Sequence, residues 1–146
     1  MTTKQTRLIK GVEMRKTTGT WTPSIGDGTT PFTPSGSNNG SYYLWGNTIT
    51  YTFQCQWSSK AAAIAGNHIT ITGLPFTTAA VVAGGASFFY GSLFDNAWTT
   101  GAGHVGLFVE NNVTVLKLQR NSAVATVNDA QASSTVRGLI TMPYEA

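Results

Sequence analysis

Residues 48–57 read Thr48-Ile49-Thr50-Tyr51-Thr52-Phe53-Gln54-Cys55-Gln56-Trp57. Apolar Ile49, Tyr51, Phe53, Cys55 and Trp57 alternate strictly with Thr48, Thr50, Thr52, Gln54 and Gln56. Successive side chains of a strand point to opposite faces, so this pattern describes a strand with one face in a core and the other outside. The outer face is polar but uncharged, and subunit contacts keep charge out of their centre. Thr48, Thr50, Thr52, Gln54 and Gln56 are therefore candidates for contact with another protein, as a subunit interface, or with a glycan.

Shorter segments of the same kind lie on either side. Ile69 and Ile71 alternate within 68–72, ahead of Gly73 and Pro75. Residues 79–83 are apolar and end at Gly84-Gly85, and 87–94 are rich in aromatics. Val105, Leu107 and Val109 alternate up to Asn111-Asn112, then Val113, Val115 and Leu118 follow, so 104–119 reads as a hairpin. A last strand is expected over 136–142. Pro23, Pro31 and Pro34 keep 18–41 extended or turning, Asn39-Gly40 is a turn signal, and 60–65 reads as a loop or single turn. Many short strands separated by Gly and Asn predict an all-β fold, a sandwich or a barrel.

Composition agrees. The 146 residues suit one domain, and 41% apolar residues supply a core. Charged residues are only 10%, against roughly 25% in an average globular protein. The net charge of +3 is uneven. Residues 1–16 carry Lys4, Arg7, Lys10, Arg15 and Lys16 against Glu13, which leaves the rest of the chain slightly acidic. This predicts a basic arm over 1–18 and a β-domain over 19–146. The arm holds a small apolar side of Leu8, Ile9 and Val12. Lys4, Arg7, Leu8, Ile9, Lys10, Val12, Arg15 and Lys16 are its candidate anchoring residues. The β-domain lacks the interleaved basic residues of a nucleic-acid platform, so nucleic acid is not an expected partner.

Cys55 is the single cysteine, so no disulfide within the chain is expected, and its place on the apolar face predicts a buried thiol. The segment from Met1 has no apolar signal-peptide core, and no run approaches a membrane span, so cytoplasmic synthesis without membrane insertion is expected. His68 and His104 stand apart, with no ligand spacing for zinc, and no phosphate loop or nucleophile elbow occurs, so no metal and no cofactor is expected. Asp95 and Glu110 are the best carboxylate pair for glycosidase chemistry, yet both read as turn residues, and no catalytic residue is assigned. Exposed aromatics beside amides and hydroxyls suit sugars. Trp98, Asn96 and Tyr90 are the candidate receptor or glycan contacts, with Trp98 read as an exposed loop residue, core packing being the alternative, and Trp57 as core.

Three pieces carry a family likeness: Gly19-Thr20-Trp21-Thr22-Pro23; then Gly40-Ser41-Tyr42-Tyr43-Leu44-Trp45-Gly46-Asn47 leading into 48–53; then Gly73-Leu74-Pro75-Phe76. Their order over 19–142 resembles the C-terminal β-sandwich modules of bacteriophage tail fibres and tailspikes. Leu44-Trp45 departs from the pair usual before Gly-Asn. The resemblance implies an antiparallel, jelly-roll-like β-sandwich knob that forms a homotrimer exposed on a virion, assembled in a bacterial cytoplasm. Its partners would be other phage virion proteins, through the arm, and a host surface glycan or protein. A short tail fibre contacting the host is the leading expectation. A capsid decoration or head-fibre protein is the alternative, and a glycan-degrading tailspike enzyme the least favoured.

Overall fold

The structure is a computed structural model that describes residues 3–9, 12–77, 88–94, 97–99, 105–110, 113–120 and 123–143. Its strands are β1 (Thr3–Ile9), β2 (Val12–Trp21), β3 (Ser24–Gly26), β4 (Thr33–Pro34), β5 (Asn39–Trp45), β6 (Thr48–Ser59), β7 (Thr70–Thr72), β8 (Phe88–Phe94), β9 (Val105–Glu110), β10 (Leu116–Arg120), β11 (Ala123–Val124) and β12 (Ser134–Pro143). The helical content of the described residues is one 3-10 turn, Val127–Asp129. The all-β, antiparallel expectation is met.

Hydrogen-bonded neighbours run β1-β2-β5-β6-β12-β8-β9-β10-β7-β3, with β4 on β6 and β11 on β10. The order curls into two halves, joined where β8 pairs with both β12 and β9. One half presents Tyr51, Phe53, Cys55 and Trp57 of β6 and Val136, Ile140 and Met142 of β12. The other presents Ile25, Ile71, Leu107, Val109, Leu116 and Leu118. All belong to one buried cluster. Strand β6 decides this closure, because each of its five alternate apolar residues is buried.

The motif residues interlock. Trp21 packs edge-on to Tyr51 and Phe53 and sends its indole N–H to the carbonyls of Ser41 and Thr52, both at 3.3 Å. Gly73 has φ 99°, and a Cβ there would also strike the Thr22 carbonyl oxygen, so only glycine fits. Gly46-Asn47 makes the tight β5–β6 turn, with Trp45 opposite Thr48. Asn39-Gly40 is corrected from a turn to the start of β5, because Gly40 pairs with both Trp21 and Phe53.

The hairpin expected over 104–119 is present as β9 and β10, although the return strand begins at Leu116, with Leu116 and Leu118 buried, and Val113 packs against the core from ahead of it. Segment 60–65 is a turn, as expected. Residues 79–85, His104 and Asn111-Asn112 lie outside the described residues. The basic segment contributes β1 and β2, an antiparallel pair, and β2 continues through the expected 18/19 boundary to Trp21. Lys4, Arg7, Leu8 and Ile9 fall on β1, and Val12, Arg15 and Lys16 on β2. Lys10 lies outside the described residues.

Candidate functional site

The outer face of the β5-β6-β12-β8 half is built by the same alternation that builds the core. When Ile49, Tyr51, Phe53, Cys55 and Trp57 turn inward, Thr48, Thr50, Thr52, Gln54 and Gln56 turn outward, and all five are partly exposed. Opposed residues of neighbouring strands share a face. Register therefore sets rows across it. Thr20, Ser41, Thr52, Leu139 and Ser92 form one row; Thr18, Tyr43, Thr50 and Thr141 form the next; Asn39, Gln54, Arg137 and Phe94 form a third.

Within the rows, Ser41 Oγ lies 2.6 Å from Thr52 Oγ1 and Thr50 Oγ1 lies 2.9 Å from Thr141 Oγ1. These pairs tie three strands together and leave the hydroxyls half engaged. Two adjoining open depressions, of about 310 and 420 Å³, share Thr20, Ser41 and Thr52 as their floor. Gln56 differs from the other four, since Gly36 lies against its side-chain amide and Asn38 Oδ1 accepts its backbone N–H.

Large apolar side chains complete the face. Tyr43, Tyr90, Phe94 and Leu139 are exposed there, Tyr90 at 68% and Phe94 at 51%. Arg137 is the charged residue of the three rows. An apolar and hydroxylated patch of this kind, open to water in a single chain, marks an interaction surface.

The candidate receptor contacts separate. Tyr90 is exposed on this face. Asn96 lies outside the described residues. Trp98, expected as an exposed loop aromatic, is instead 8% exposed and part of the core. The cause is main-chain pairing: Gln131 N donates to Ala97 O and Thr99 N to Asp129 O, so Trp98 bridges to Ala130 and its ring goes inward. Tyr43, Phe94 and Leu139 were not singled out in the sequence. Leu139 was legible in part, since it falls on the outward alternation of Thr135, Arg137 and Thr141, where a leucine is out of place.

Other candidates occupy ordinary structural positions. Cys55 is fully buried, and burial pushes its thiol up to about 12. Trp57 is buried and donates its indole N–H to Gln131 O at 3.0 Å. Glu110 pairs with Lys117 at 3.1 Å, while Asp95 lies outside the described residues. His68 is exposed. Among the described residues, no three His, Cys, Asp or Glu side chains gather as metal ligands.

No family model and no curated protein matches the chain. Among solved structures, the crystal structure of the Dettilon tailspike protein is similar, with a TM-score of 0.58 at 16% sequence identity over 89% of this chain. The chain spans about a quarter of that protein, 24% of its length. This chain thus shares the fold of one part of a tailspike.

Proposed function

We propose that this chain is a structural part of a bacteriophage tail: a homotrimeric knob that works by binding the host surface and not by catalysis. The observation that carries the reading is the outer face of β5, β6, β12 and β8. Four large apolar side chains stand exposed among uncharged hydroxyls there, as expected of a surface covered by another subunit. The tailspike-like fold supports the virion assignment. In this reading Thr48, Thr50, Thr52 and Gln54 meet a neighbouring copy. The basic β1–β2 segment faces another virion protein, and the loops away from the face meet a host glycan or protein.

Two measurements test it. Immunolabelling of intact virions is expected to mark the tail; label spread over the head would replace this reading with capsid decoration. Light scattering at micromolar concentration is expected to return the mass of three chains, and the mass of one chain would end the trimer reading.

A further inference from the structure

Strands β1 and β2 leave the body of the sheet as a two-stranded ribbon. β2 pairs with β5 from Trp21 back to Lys16, and there β5 ends, at Trp45. β2 runs on to Val12 beside β1 alone, with Arg15 opposite Thr6, Met14 opposite Arg7, Glu13 opposite Leu8 and Val12 opposite Ile9. At about 3.4 Å per residue, this overhang reaches roughly 14 Å past the last β5 pair. Among the described residues, no strand pairs with the outer edge of β1 along Thr3–Ile9, or with the β5 side of β2 beyond Lys16.

A two-stranded ribbon is only marginally stable in water, because it has no further strand or layer to pack on. Leu8, Ile9, Val12 and Met14, half of the overhanging residues, are apolar. The ribbon also carries Lys4, Arg7, Arg15 and Lys16 against Glu13. The body offers this charge no counterpart. Among the described residues outside the ribbon, the carboxylates are Asp27, Glu110 and Asp129, and each is engaged elsewhere. Asp27 accepts the backbone N–H groups of Thr29, Thr30 and Ile64, Glu110 pairs with Lys117, and Asp129 pairs with Arg120.

Charge and length choose the occupant of the edge. A second copy of β1 would add a basic strand to a basic edge, and like charges on adjoining strands repel. A copy's β3, at the other end of the sheet order, is three residues long and too short to cover β1. Nucleic acid would meet the charge, but it has no row of backbone donors and acceptors to match a strand edge. An extended acidic polypeptide supplies both. Basic residues guard an edge against self-pairing and still admit a strand of opposite sign. We propose that β1 is a docking edge, to which an acidic, extended segment of another virion protein adds as a further strand. The proposal rests on the reading of this chain as a virion protein and names the chemistry of the partner at its basic segment.

The test compares the full chain in solution with the chain in purified virions by amide hydrogen exchange. Immunoblotting of the virions shows first whether the chain is there, and its absence ends the virion reading and the docking edge together. With the chain present, residues 3–9 are expected to exchange roughly tenfold more slowly in the virion than in solution, while residues 48–57 exchange alike in both. Equal exchange of 3–9 in both overturns the docking edge and leaves the virion reading standing. Protection of 3–9 in solution that grows with protein concentration would overturn it in favour of a second copy. Protection in solution on adding a DNA oligonucleotide would overturn it in favour of nucleic acid.

Two proline variants separate strand pairing from mere cover. Neighbouring residues of a strand point their N–H groups to opposite edges. Of Gln5→Pro and Thr6→Pro, one therefore breaks a bond to β2, and the other removes only a donor at the free edge. The free-edge variant is recognised in solution by native exchange of residues 12–21. It is expected to enter virions roughly tenfold less than the native chain, and native incorporation would overturn the proposal. Arg7→Glu is expected to lower incorporation to a similar extent and Arg7→Lys to retain it. A glutamate variant that assembles as well as the native chain would show that the partner segment is not acidic.

Discussion

Tyr42 lies directly across the β2–β5 ladder from Gly19, and its ring occupies the space where a Cβ on residue 19 would stand. Two positions along, Trp21 covers Gly40 in the same way. Each glycine leaves room for an aromatic ring of the neighbouring strand to lie against the backbone. The two pairs explain why Gly-Thr-Trp and Gly-Ser-Tyr occur together in one chain. They also lock the register between β2 and β5, because a shift of one residue would set each ring against a side chain.

Gly19→Ala is expected to cost about 1–3 kcal/mol through overpacking against the Tyr42 ring. Tyr42→Ala opens the space that the added methyl needs. The double variant should therefore be more stable than the sum of the single losses, by roughly 0.5–3 kcal/mol for residues in direct contact. Urea denaturation of the four proteins measures the coupling, and strict additivity would show that the ring does not occupy that space.

Leu139→Glu places a charge at the centre of the outer face without touching the core. If the face joins subunits, light scattering should show the variant falling to single-chain mass, since an unpaired charge at an interface centre is costly to desolvate. Far-ultraviolet circular dichroism should remain that of a folded β protein. A variant that keeps the native mass places the subunit contact elsewhere.

Asp27 should shape the acid limb of stability. Backbone N–H groups from Ile64, Thr30 and Thr29 hold its carboxyl well below the ordinary value of 3.8. A carboxyl depressed in the folded state stabilises it fully above the unfolded value and loses that effect as pH falls through the folded one. Thermal melts of Asp27→Asn should therefore lie below native at neutral pH, with the gap narrowing below about pH 4 as the native carboxyl begins to take up a proton on unfolding. A gap that stays constant down to strongly acid pH would show that the carboxylate charge is not what pins the two loops.

Cys55 is fully buried, and its thiol is pushed up to about 12 by burial. The thiolate is the reactive form. A thiol reagent at mildly alkaline pH should leave the native protein unmodified and label one thiol per chain in denaturant. Rapid labelling of the native protein would place Cys55 at the surface.

Some of this was written in the residues one at a time. The alternation of 48–57 determined strand β6, its buried face and its uncharged face, because side-chain direction along a strand depends only on position parity. The same rule placed β9, and a low charge content left hydroxyls and amides to form the surface. Tertiary structure decided the rest. Trp98 sits among polar and small residues with no period of its own, and only its pairing with Ala130 drew the ring into the core. Tyr43, Phe94 and Leu139 are far apart in the chain and became one patch through strand register. Thr70 reads as an ordinary outward residue of β7 until the loop held by Asp27 closes over it. Parity tells which way a side chain points, but what covers it depends on contacts between distant segments, and no local pattern encodes those.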